Sequence, residues 1–309
     1  MKKIHKIIPL ALLYLGLSSC LKDESYTADT SVAKNMVELA GAPDVAATAA
    51  YIYGVTGQSF PVNPTGSFNI EVKYAGTEVV APQDITVTLV VDPTMITKYN
   101  NKIIADKRAE LIAEGHDPAD AEEEVAGELF DLITPNLYTL SSTTATIKKG
   151  ENTAKVTVTV KPNQFDFAFR YGLPIRISTA SLGTISSNFG SVIYSVGAKN
   201  EYDGEYEATG VFTHPVLGPR DIHEDKEVST TGQYSVVTVA GDIGAPVGLV
   251  VNPTTNDVTF TGALSPTQPF IPIPGERSYY DPATKTFHLN YRYTGGGGFR
   301  VIRETLVRK

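Results

Sequence analysis

Period-two alternation of apolar and polar residues, interrupted by clusters of glycine, proline and asparagine, recurs along most of this 309-residue chain. Phe68-Asn69-Ile70-Glu71-Val72-Lys73-Tyr74 alternates strictly, Ile85 to Val91 is rich in β-branched residues, and Val156, Val158 and Val160 fall on one face. Each such run reads as a strand with one face buried. Shorter runs at Val37–Leu39, Tyr51–Val55, Thr144–Ile147, Gly172–Thr179 and Val192–Val196 extend the pattern. Pro61, Asn63, Pro64 and Gly66 punctuate between Tyr51–Val55 and Phe68–Tyr74, and Gly150 stands where a hairpin turn requires positive φ. Val37–Leu39 reads as an edge strand. Short strands at this spacing predict a β-sandwich over 35–197.

One stretch departs from that period. After Asp92-Pro93, from residue 94 to about 134, apolar positions recur at three and four. Lys102–Ala113 and Ala119–Phe130 are predicted as two helices, with Asp117-Pro118 as N-cap and first helical residue of the second. Glu122, Glu123, Glu124 and Glu128 on that helix read as a solvated face.

Gly197–Glu201 marks a boundary, and residues 198–309 form a second unit of strands. Tyr206–Phe212, Ser235–Val239, Val247–Asn252, Val258–Thr261, Phe287–Tyr293 and Phe299–Val307 are predicted, the last two joined by Gly295–Gly298. Antiparallel strands with no helix to cover their edges must close into a barrel or sandwich to hide them. Phe287, Leu289, Tyr291 and Tyr293 share one apolar face, with His288, Asn290 and Arg292 on the other; the apolar stripe reads as barrel core, and a ligand wall is its other reading.

Lys2, Lys3 and Lys6, the apolar run Ile7–Leu17 and the small pair Ser18-Ser19 make an export signal over 1–19. Cys20, the only cysteine, follows at once, so no disulfide supports either unit. Leu17-Ser18-Ser19-Cys20 resembles the bacterial lipobox, which implies that Cys20 is lipidated and that 20–34 is a tether. Lys22, Asp23 and Glu24 are similar to the surface-export signal of Bacteroidetes lipoproteins. The resemblance places the chain on the outer membrane, facing the exterior. A formal net charge of −8 argues against nucleic acid or anionic lipid as a partner.

Asp84–Leu89, Val91-Asp92-Pro93, Tyr138-Thr139-Leu140, Lys149-Gly150-Glu151 and Tyr171–Ile175 together resemble the Ig-like N-terminal domain of unassigned function common in Bacteroidetes surface lipoproteins. Tyr202-Asp203-Gly204 and the closing hairpin resemble the barrel domain that follows it there, which implies a closed antiparallel β-barrel of lipocalin-like form over 198–309. The helical insertion after Pro93 departs from that pattern. The resemblance implies a SusE/SusF-like accessory lipoprotein of a nutrient-uptake system, beside a TonB-dependent transporter and its partner lipoproteins, that binds extracellular glycan and cleaves nothing.

Residues with chemistry are sparse. His214, Asp221, His223, Glu224 and Asp225 cluster on what reads as a Pro/Gly-rich loop, but their spacing fits no zinc pattern. Gly295–Gly298 lacks the lysine and helix of a phosphate loop. There is no Gly-x-Ser-x-Gly elbow, and a carboxylate pair for glycoside hydrolysis would meet only in the fold and is not singled out by the sequence, so no catalytic residue, metal or cofactor is assigned. Tyrosine offers sugars a flat apolar face with a polar tip. Tyr279 and Tyr280, with Arg277 in the same Pro-rich loop, are the sequence's candidate ligand residues; packing against the barrel is their other reading. A structural or adhesive spacer, or a barrel holding a small apolar ligand such as a lipid, remain alternatives for the whole protein.

Overall fold

The computed structural model describes residues 35–44 and 52–309. The signal 1–19, Cys20, Lys22, Asp23, Glu24 and the tether 20–34 lie outside the described residues. Among the described residues the protein is mainly β, with curled sheets.

The first module runs through β1 (Met36–Leu39), β2 (Gly54–Pro61), β3 (Gly66–Ala75), β4 (Ile85–Val91), β5 (Asp131–Leu132), β6 (Tyr138–Leu140), β7 (Thr144–Ile147), β8 (Thr153–Val160), β9 (Tyr171–Ala180), β10 (Thr184–Ile185) and β11 (Ser191–Lys199). One sheet has the order β10-β1-β3-β8-β6 and the other β2-β11-β9-β4-β7, with β5 alongside β9. The two sheets share a core: Val37, Ile70, Val72 and Val158 from the first meet Ile85, Val87, Leu173 and Ile175 from the second. Burial of β3 and β4 alternates residue by residue as the sequence does. Each fully buried aliphatic side chain contributes about 1.5–3 kcal/mol relative to exposure.

Several expectations are corrected here. β1 is not an edge, because β10 pairs along its other side. β2 begins at Gly54 and continues to Pro61, where the sequence suggested a turn; it pairs in parallel with β11, and its proline stands at the strand end. Gly150 has the expected positive φ of 86°. Its turn, however, carries the chain from β7 in one sheet to β8 in the other, so it is a crossover and not a hairpin. The first predicted helix is longer than expected, α1 (Thr94–Glu114), and ends at left-handed Gly115. The second is broken into a 3₁₀ turn at 118–120, a four-residue helix at 121–124 and another 3₁₀ turn at 126–128. Asp117 does cap it, accepting a hydrogen bond from the Ala119 N–H at 2.9 Å. Met95, Ile96, Tyr99 and Ile103 of α1 pack with Val125, Phe130 and Ile193 in a small core separate from the one shared by the two sheets.

The second module is one nine-stranded sheet built from β12 (Gly204–His214), β13 (Gly218–Gly232), β14 (Ser235–Val239), β15 (Pro246–Val251), β16 (Val258–Thr261), β17 (Ile271–Pro272), β18 (Tyr279–Asp281), β19 (Thr286–Gly295) and β20 (Gly298–Arg308). It curls into a nearly closed barrel. The seam is bridged by bonds from Val258 N to Ser278 O (2.8 Å), Tyr280 N to Asn256 O (2.9 Å) and Phe270 N to Gly262 O (3.2 Å). Phe287, Leu289, Tyr291 and Tyr293 face inward as expected, joined by Tyr206, Phe212, Leu249 and Ile302. Gly295–Gly298 is the β19–β20 hairpin loop.

The longest strand of this module, β13, escaped the sequence reading. His214 and Pro219 begin a hairpin, not a loop, and Asp221, His223, Glu224 and Asp225 alternate across a strand. Two of its inward positions are acidic or basic: Glu224 and Lys226. Lys226 Nζ lies 2.6 Å from Glu304 Oε2 and 2.9 Å from the Val239 carbonyl, while Tyr291 donates to Glu304 Oε1 at 2.6 Å. Both charged side chains are almost wholly buried. Burial, and then the Glu304 carboxylate, push the Tyr291 phenol well above its ordinary range.

Candidate functional site

The two modules meet at a cleft of about 620 Å³, open to solvent, within the size range of small-ligand sites. Its walls come from three places in the sequence. β2 delivers Ser59 and Phe60 and the following turn Asn63; the end of β11 and the turn after it deliver Lys199 and Glu201; the β13–β14 hairpin apex delivers Gln233 and Tyr234.

Each wall is held by local chemistry. A methyl group on Gly66 would lie 2.5 Å from Phe60 Cδ1, so the glycine opens the space that the Phe60 ring occupies. The parallel register of β2 and β11 sets Ala198 beside Phe60 and Lys199 beside Pro61. Asn200 then clamps the hairpin. Its amide Nδ2 donates to the carbonyls of Gly232 and Ser235, both at 2.9 Å, one on each side of Gln233 and Tyr234. Its Oδ1 accepts from Tyr202 N, and its own N–H donates to Thr230 Oγ1.

Lys199 is tied to Asp203 at 2.8 Å, and Asp203 also accepts from the N–H and hydroxyl of Thr230. Burial raises the Asp203 carboxyl, but Lys199 and Thr230 outweigh it and hold the group below the usual carboxylate range. Tyr234 is 38% exposed, and Gln233 donates to its hydroxyl at 3.1 Å. The cleft therefore offers two aromatic rings, side-chain amides and both signs of charge. Such a set stacks against sugar rings and exchanges hydrogen bonds with hydroxyls; it contains no nucleophile paired with a base.

The sequence's candidates lie elsewhere, on β18 and the segment before it. Tyr280 is 2% exposed and packs among Tyr202, Tyr206 and Phe287, so its ring belongs to the barrel core. Tyr279 points the other way. Its ring stacks on His288 at 4.6 Å, and the Arg277 guanidinium lies 4.9 Å from its centroid. Arg277 is itself held by Asp257 at 2.6 Å and by the Thr255 carbonyl at 2.8 Å.

Among the described residues, no group of three or more His, Cys, Asp or Glu is placed to hold a metal. His214 accepts from the N–H groups of Val216 and Leu217 and so closes its hairpin. His223 pairs with Glu207 at 3.1 Å on the outer wall, where Asp225 meets Lys309, while Glu224 faces inward. Glu122 and Glu123 are exposed, and Glu124 pairs with Lys107 at 2.9 Å. No helix among the described residues is long and apolar enough to cross a membrane.

Comparison with known proteins agrees with the two-module architecture. A family model described as an N-terminal domain matches residues 45–183, and one described as a C-terminal domain matches 190–307. No curated protein matches the chain. A Bacteroides ovatus protein of unknown function superposes with a TM-score of 0.55 at 14% identity, covering 89% of this chain and 94% of that one. An auxiliary nutrient binding protein from Bacteroides thetaiotaomicron gives 0.52 at 14% identity, over 82% of this chain and 89% of that one. The protein thus carries a family pair of N- and C-terminal domains and shares its fold with Bacteroides proteins.

Proposed function

We propose that this protein is a lipid-anchored outer-membrane protein of the cell surface that captures extracellular glycan in the cleft between its modules and does no chemistry on it. On this reading Cys20 carries the lipid, Lys22, Asp23 and Glu24 direct the chain outward, and the protein is a SusE/SusF-like accessory to a TonB-dependent transporter and its partner lipoproteins. The first module is then an Ig-like sandwich and the second a lipocalin-like barrel. The observation that carries the proposal is the cleft, where Phe60 and Tyr234 stand beside Asn63, Gln233, Lys199 and Glu201. Likeness of fold to an auxiliary nutrient binding protein supports it. An apolar ligand in the lumen is disfavoured by the rings of Tyr206, Phe212, Phe287 and Tyr291 that fill the barrel.

Affinity electrophoresis against a panel of polysaccharides tests the reading. Retardation by at least one glycan is expected, and Tyr234→Ala should abolish most of it. Tyr279→Ala tests the outer Arg277–Tyr279 stack in the same gel; retardation lost there and kept in Tyr234→Ala would move the site to the barrel wall. Migration unaffected by every glycan would leave the spacer role standing.

A further inference from the structure

We infer that the Thr77–Val80 loop is a membrane-facing surface that rests on the lipid to which the chain is anchored; the inference builds on the lipid-anchored reading above. Val79 is 75% exposed and Val80 44%. Two neighbouring aliphatic side chains held out in water have a use where the solvent is not water.

Their location supplies the occupant. Asn35, the first described residue after the segment that follows Cys20, is bonded to this loop three times. Its Nδ2 donates to the Glu78 carbonyl at 3.0 Å, and its Oδ1 accepts from Thr77 Oγ1 at 3.0 Å and from Glu78 N at 3.2 Å. Gly76, at φ 144°, makes the approach possible: a methyl group there would lie 2.9 Å from Asn35 Cα. A chain anchored at Cys20 therefore enters the fold directly beside the two valines.

The surroundings suit a headgroup layer. Ala81, next to the loop, is bonded to the β7–β8 turn through Glu151 O (2.7 Å) and Gly150 N (2.9 Å), which brings exposed Lys148 and Lys149 alongside. Lys148 is paired with Asp84 at 2.8 Å, and Glu78 accepts from the Tyr74 hydroxyl at 3.0 Å. Lysine stems can lie along the apolar boundary with their charges in the headgroups. β3 runs from Gly66, under the Phe60 ring of the cleft, to Ala75 at this end, and ten extended residues rise about 33 Å. The loop and the cleft are thus at opposite ends of the sandwich, so lipid at one leaves the other open. Val216 and Leu217, at the far hairpin of the barrel, are also exposed, but nothing in the structure shows what covers them.

The chain has no tryptophan, so a single one reports its own environment. The full-length acylated protein, reconstituted into phosphatidylcholine–phosphatidylglycerol vesicles with or without brominated acyl chains, is compared as Val79→Trp and Leu217→Trp. Both positions are exposed, and unchanged thermal midpoints will show that both variants fold. Val79→Trp should emit further to the blue on vesicles and be quenched by bromine, while Leu217→Trp does neither. Unquenched Val79→Trp emission, or quenching of Leu217→Trp in its place, overturns the inference. Flotation of the wild type and of Cys20→Ser separates the two levels. If the wild type does not float, or Cys20→Ser floats equally well, the anchoring itself is wrong and the inference falls with it; if only the wild type floats, the tryptophan result judges the loop alone.

Discussion

Lys226 and Glu304 are an expensive pair to keep inside a barrel lined mainly by rings and aliphatic chains. Withdrawing two charges from water costs several kcal/mol each, and the 2.6 Å contact, the Tyr291 hydroxyl and the Val239 carbonyl recover it only while every partner is present. Lys226→Met should therefore cost about 3–5 kcal/mol in urea denaturation, and Lys226→Met combined with Glu304→Leu should recover much of the loss. Asp203 predicts a pH effect. Its folded value is depressed, so its stabilisation is complete above the ordinary aspartate value of 3.8 and fades as pH falls through the folded value. Asp203→Asn should lower the thermal midpoint at neutral pH, and the gap from wild type should narrow once the medium is acidic enough to protonate Asp203 in the native protein. At this scale the sequence was legible only in part. Period-two reasoning put Tyr291 and Tyr293 in the core correctly, yet the same rule splits Tyr279 from Tyr280, and treating them as a loop hid that. The cleft residues Phe60, Lys199 and Tyr234 are far apart in the chain and meet only through the β2–β11 register and the Asn200 clamp.

Elements were readable where one face is apolar throughout. β4 was located to the residue, and β8 and β19 to within three, since valine, isoleucine and aromatic residues alternate along them. β13 was missed because its outward residues are Asp221, His223 and Asp225 and two of its inward ones are Glu224 and Lys226, leaving no alternation of hydropathy to detect. The break in the second helix has a local cause as well: Gly127, a poor helix former, stands just past the helical turn 121–124, and the exposed Glu122–Glu124 add no burial to sustain it. What fixes this segment is Asn100, whose amide donates to Phe130 O at 2.8 Å and whose oxygen accepts from Phe130 N at 3.0 Å. Asn100→Ala removes both bonds and strands a partly buried backbone pair, a loss of about 1–3 kcal/mol by chemical denaturation. Glycan retardation should be unchanged in that variant, because the insertion packs on β9 and β11 and lines none of the cleft.

As a whole the molecule rests on packing, since its single cysteine precedes the described fold. Its thermal midpoint should be the same with and without dithiothreitol; a shift would mean that Cys20 pairs between chains. The parallel pairing of β2 with β11 has a mechanical consequence. On the proposed reading, a ligand held at Phe60 and Lys199 pulls on the ends of two strands that lie side by side over eight residue pairs, while the restraint of a lipid anchor would arrive at Asn35, beside the opposite end of β3. Because both strands are drawn from the same end, neither slides past the other, and the load passes to β9, the antiparallel partner of β11, whose cross-strand bonds share it in shear instead of opening one after another like a zip.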